Sequence, residues 1–125
     1  MSLEPPARPI SNSQLAEQLC AWSPNLREAL RAHHVRYGTL IPHFFMRDVL
    51  ARVERCGPAF CDPGANERGE LEAILAVLER GVSRGDRETR NVIALSFLDD
   101  AKEQPFFATL RPLLGPSLQA QLRAP

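Results

Sequence analysis

Lysine is almost missing from this sequence. Lys102 is the only one, and the other fourteen basic residues of the 125-residue chain are arginines. Net charge is missing too: 15 basic residues face 15 acidic ones. A neutral chain does not grip nucleic acid through a general basic excess, so no nucleic-acid partner is expected. A local patch stays open, because arginine favours bidentate pairing with oxyanions. Cysteine is scarce and odd in number, at Cys20, Cys56 and Cys61. That count and spacing exclude a disulfide framework and a zinc finger. Cys56-x4-Cys61 could close a small loop, but free thiols are the expected state. No apolar run is long enough to span a bilayer, and Met1-Ser-Leu-Glu-Pro-Pro6 carries no positive region followed by an apolar one. The expected compartment is the cytoplasm, with no membrane partner. No glycine-rich phosphate loop is present.

What is present reads as helices. Pro5, Pro6 and Pro9 mark residues 1–10 as a disordered lead-in. Residues 11–125 read as a single helical domain. Ser11 and Gln14 have capping-box spacing ahead of Leu15 and Leu19. Ser23-Pro24 starts a second helix, with Leu26, Ala29, Leu30, His33 and Tyr37 on one stripe and Gly38 at its end. Ile41-Pro42 opens a third, striped by Phe45, Met46, Val49, Leu50 and Val53, with Phe44 beside the stripe and Arg52 directed elsewhere. Cys56-Gly57-Pro58 closes it. Residues 57–66 form the longest internal loop. Asn66 is the expected cap of a fourth helix, whose stripe is Leu71, Ile74, Leu75, Leu78 and Val82. Glu70, Glu72, Glu79 and Arg80 are expected in solvent, and Gly81 and Gly85 at a fraying end. Pro105 begins a shorter helix with Phe106, Phe107, Leu110, Leu113 and Leu114 inward, and Leu118 and Leu122 indicate a last short turn.

Residues 86–100 organise the rest. Asp86 is placed to cap, and Glu88 complements the helix dipole. Val92, Ile93, Ala94, Leu95, Phe97 and Leu98 then cover nearly every direction around a helix, which marks a helix buried on all sides. No segment alternates as a strand does. The expected fold is all-α: five to six helices in an irregular bundle or stacked pairs around a buried central helix 86–100.

The candidate chemistry is sparse. His33, His34, His43 and Asp48 are potential metal ligands, but none pairs at His-Glu-x-x-His spacing and His33 falls on the core stripe. A structural histidine, with no metal and no cofactor, is the expectation. Asp48 lies near the core face of the third helix, where a carboxylate needs a partner, either an internal arginine or a bound protein. Asp99, Asp100 and Glu103 give the central helix an acidic end that opposes its dipole. Asp99 and Asp100 diverge by about 100° and so do not form a catalytic pair. Ser96 has no evident base and is expected to bond a carbonyl one turn back.

Three stretches carry a resemblance. Leu40-Ile-Pro-His-Phe-Phe-Met-Arg-Asp-Val49 resembles a "Leu-Leu-Pro-His-hydrophobic-hydrophobic-Met-x-Asp" segment. Asn91-Val-Ile-Ala-Leu-Ser-Phe-Leu-Asp99 resembles "Asn-hydrophobic-Ile-x-hydrophobic-Ser-Phe-Leu-Glu", with Asp99 in place of Glu and Asp100 where Asn is usual. Leu113-Leu-Gly-Pro-Ser-Leu118 resembles the "Leu-Gly-Pro-x-Leu" that follows. Together, over residues 13–122, they resemble a family of small all-helical bacterial proteins of undefined function, often read as immunity proteins to polymorphic toxins. The resemblance implies a non-enzymatic protein that neutralises a cognate toxin by occlusion. Asp48, Asp99, Asp100, Glu103 and His43 are the expected toxin-binding residues. One alternative is a small helical enzyme or ligand-binding domain with a pocket near His43 and Asp48. Another is an adaptor whose arginines meet an acidic partner.

Overall fold

Helix starts and stops follow local chemistry. The computed structural model describes residues 8–123, and the expected disordered lead-in lies outside them except at its end. Helix α1 (Asn12–Trp22) begins at a complete capping box between Ser11 and Gln14. Ser23 caps α2 (Pro24–Tyr37) through the Leu26 N–H, and Gly38 ends it at φ 77°. Glycine takes that left-handed conformation without the Cβ clash other residues meet. Helix α3 spans Pro42–Arg55, followed by a short 3₁₀ turn at Gly57–Ala59. Gly57 does not adopt a positive φ, so α3 tightens into that turn instead of ending on a left-handed residue.

Helix α4 (Arg68–Arg84) starts from Glu67 with no side-chain cap, so Asn66 does not fill the role expected of it. Asp86 caps α5 (Arg87–Ile93) by accepting the Thr89 N–H at 2.7 Å. That bond holds the Asp86 carboxyl below the usual range. The chain continues through a π-helical turn at Ala94–Leu98 into α6 (Asp99–Lys102). Helix α7 (Phe107–Leu110), a 3₁₀ turn at Arg111–Leu113 and α8 (Pro116–Arg123) finish the described chain.

The fold is all-α, with no strand among the described residues. The central rod α5–α6 is held by α3, α4 and α8 around it. Val92, Ile93, Phe97, Leu98 and Ala101 are buried. Leu95 is the departure from full enclosure, 56% exposed on the rod's outer side. Buried residues from α1 to α8 join in one core.

Four tertiary contacts differ from the sequence reading. Gly81 is buried, not frayed: a Cβ there would lie 2.6 Å from Ile93 Cδ1 and 2.9 Å from Leu15 Cδ1. It is where α1, α4 and α5 cross. Glu79 is not solvated. Its carboxylate accepts the N–H groups of Ser117 and Leu118 at 2.7 and 2.9 Å, satisfying free donors at the start of α8. Glu70 is likewise drawn in, as partner to Arg52 at 3.0 and 2.6 Å. Ile10, within the expected lead-in, is tied to α4: its N–H donates to Arg84 O, and its carbonyl accepts from Asp86 N, both at 2.9 Å.

Candidate functional site

One buried histidine ties α2 to the start of α3. His33 is 4% exposed. Its Nε2 accepts the Ile41 N–H at 2.9 Å, so the ring proton sits on Nδ1. Ile41 is the N-cap of α3 and has no side-chain oxygen of its own to cap with. The bond thus ties the end of the α2–α3 connection back to α2. Burial pushes the His33 pKa below its ordinary value, Asp48 opposes that, and His34 adds to it. A neutral histidine with its Nε2 already bonded is structural, as the core stripe indicated.

Beyond His33 the two helices separate into a cleft of about 360 Å³. Tyr37 and Phe44 face each other across it with ring centroids 5.4 Å apart. Each ring carries a guanidinium: Arg36 lies 5.3 Å from the Tyr37 centroid and Arg47 lies 5.5 Å from that of Phe44. Asp48 completes the wall. Residues 44, 47 and 48 share one face of α3 because three- and four-residue steps return to the same side of a helix.

Asp48 forms no ion pair among the described residues, although two arginines share its cleft. Partial withdrawal from water pushes its carboxyl above the ordinary value, while His33 offsets part of that rise. The internal arginine expected for Asp48 is therefore not there; the arginines lie over the aromatic rings instead.

His43 occupies another side of α3. Five residues separate it from Asp48, a rotation of about 140°. It is not part of the cleft wall. Its Nδ1 lies 2.5 Å from Ser96 Oγ on the π-turn. Ser96 therefore has an imidazole partner, contrary to the expected bond with its own helix. The contact joins two of the stretches that carry the family resemblance, across 53 residues of sequence.

Asp99, Asp100 and Glu103 are exposed at the end of the rod. Asp99 pairs with Lys102 at 3.2 Å, a solvent-facing bridge. Asp48 lies against α2, whereas these acids follow the π-turn. The expected residues therefore divide among three places: the α2–α3 cleft, the His43–Ser96 contact and the acidic end.

Sequence reasoning missed the aromatic pair. Tyr37 was assigned to a core stripe, yet it is 37% exposed, and Phe44 is 40% exposed. The available signal was Phe44 itself, a large apolar residue outside the stripe of its own helix. Cys20, Cys56 and Cys61 are all free, the first two buried and Cys61 exposed. Burial pushes Cys20 and Cys56 to higher pKa, away from the reactive thiolate. Searches of protein-family models, curated proteins and solved structures returned no match to this chain.

Proposed function

We propose that this protein is a non-enzymatic binder of the immunity type, acting in the cytoplasm, that neutralises a cognate toxin domain by covering it. The observation carrying this reading is the α2–α3 cleft. Two exposed aromatic rings meet there at a tilt of 45° under two arginines, beside a carboxylate with no ion pair among the described residues. Aromatic and arginine side chains supply most hot spots in protein interfaces, and charged groups around them select the partner. Asp48 is available to a cationic group of the toxin. The exposed acids Asp99, Asp100 and Glu103 give a second negative region that steers a basic partner. His43 belongs to this reading as the residue that fixes α3 against the π-turn.

The test is co-expression with the protein encoded by the adjoining gene, with cell survival as readout. That neighbour should arrest growth, and this protein should relieve the arrest. Phe44→Ala combined with Asp48→Lys should abolish relief while the melting curve stays cooperative. Reversal of Asp99, Asp100 and Glu103 to Lys should slow association more than dissociation. A harmless neighbour, or undiminished relief by the cleft variant, would remove this reading.

The alternative, a small helical enzyme, draws on the contact between His43 Nδ1 and Ser96 Oγ. A serine beside an imidazole is the start of a nucleophilic pair, although a third group normally orients the base. Among the described residues, no carboxylate is hydrogen-bonded to His43. Labelling by a fluorophosphonate that disappears in Ser96→Ala would favour the enzyme over the binder.

A further inference from the structure

On the far side of the rod from its acidic end, four arginines meet. Arg80 and Arg84 come from α4, Arg90 from α5, and Arg8 from the segment that leads into Ile10. They line one cleft of about 630 Å³ together with Gln18 and Ser83. Among the described residues no acidic side chain lines this cleft, and none pairs with any of the four. Arg80 and Arg84 are one turn apart on the same helix, a like-charge spacing that disfavours the helix in the absence of a counter-charge. Arg84 is also followed directly by Gly85, whose neighbours Arg84 and Asp86 hold Ile10 in place. That pairing keeps Arg8, two residues before Ile10, beside the end of α4.

We infer that this cleft is a binding site for a small oligophosphate. Guanidinium groups recognise phosphate oxygens through paired N–H donors, and several converging arginines suit a ligand with several adjacent negative charges. The volume lies in the usual range for small-molecule sites. Among the described residues no aromatic side chain lines the cleft, so they offer a base nothing to stack on. Recognition is accordingly of the phosphate chain and not of a nucleobase. The inference is independent of the toxin-binding reading, which rests on the opposite charge and a different pair of helices.

The test is calorimetric titration of the full chain at about 0.15 M salt, where exposed charges are well screened. The probes are inorganic tripolyphosphate, ATP and a poly-glutamate peptide. Tripolyphosphate should bind saturably, one per chain, and ATP no more tightly. Arg80→Gln with Arg84→Gln should weaken binding by about tenfold or more. Arg80→Lys with Arg84→Lys, which keeps the charge, should lose part of the affinity because the paired donors are gone. Arg55→Gln with Arg123→Gln, distant in sequence from the cleft residues, should leave binding unchanged. Absence of saturable tripolyphosphate binding would overturn the site. So would an equal loss in the control pair, which would mean a general charge effect. Tighter binding of poly-glutamate would replace it with an acidic protein surface, and much tighter binding of ATP would show that a base is recognised. Thermal melting of every variant separates lost binding from lost folding.

Discussion

Arg52 and Glu70 form a two-pronged ion pair between α3 and α4, Nε to Oε2 at 3.0 Å and Nη2 to Oε1 at 2.6 Å. The same carboxylate accepts from Ser23 Oγ, at the junction of α1 and α2. Asn25 Nδ2 adds a longer contact at 3.4 Å. One acid therefore fastens the helical connection of α1–α2 to both α3 and α4. The pair is mostly withdrawn from water, with side chains 19% and 13% exposed. Glu70→Ala should destabilise the fold by about 3 kcal/mol, because it strands a partly buried guanidinium. Arg52→Met with Glu70→Leu should recover most of that loss. Urea denaturation of both variants is the measurement.

Glu70 also contributes to the acid sensitivity of the fold. Burial raises its pKa, but the hydrogen bonds from Arg52, Ser23 and Asn25 and the Arg52 charge outweigh that and leave it below the ordinary 4.5. A carboxyl depressed in the folded state binds protons more readily when unfolded. Its stabilisation is complete above pH 4.5 and is lost as pH falls from there through the folded value. Melting temperature should drop across that acid range, and the Arg52→Met, Glu70→Leu variant should show a shallower drop.

His33 acts at milder pH with the same sign. Its folded pKa is pushed below 6.5 by burial. The unfolded chain takes up the proton first, so stability is full above pH 6.5 and declines below it until the folded ring also protonates. Protonation also removes the lone pair that accepts the Ile41 N–H. Stability should fall as pH drops below 6.5, and His33→Leu should abolish that slope while lowering stability at pH 7. An unchanged slope in the variant would assign it to other groups.

Asp48 is predicted to behave in the opposite way. Its folded pKa is raised by withdrawal from water, with His33 offsetting part of the rise. The ionised form is therefore disfavoured by folding. Its unfavourable contribution is absent below pH 3.8 and develops as pH rises through the folded value. Asp48→Asn should leave melting at pH 7 unchanged or slightly higher. A lower melting temperature would mean that this carboxylate supports the fold, and would count against its availability to a partner.

Gly81 sets a packing limit. Ile93 and Leu15, the two side chains an added methyl would meet, are 0% and 2% exposed and have little room to move. Alanine normally favours a helix over glycine by about 1 kcal/mol. Here overpacking should outweigh that gain and leave Gly81→Ala net destabilised by about 1 kcal/mol. A thermal melt above wild type would show that the helix crossing can open to accept the methyl group.

The caps at Ser11, Ser23 and Asp86, the left-handed stop at Gly38 and most apolar stripes follow from the sequence alone. Each rests on groups within a turn or so of one another, so residue type and spacing decide it. The all-α class follows for the same reason. The partners of Glu70, Glu79 and Ser96 do not: they come from 18, 38 and 53 residues away. Charge and periodicity give a glutamate on a helix the same appearance whether it meets water or the start of another helix. The π-turn that carries Ser96 to His43 is likewise invisible in an apolar run. The tilted ring pair Tyr37–Phe44 and the meeting of four arginines depend on the angles at which whole helices cross. Those angles are set by side-chain packing and contacts such as Gly81 against Ile93, so only the tertiary structure decided them.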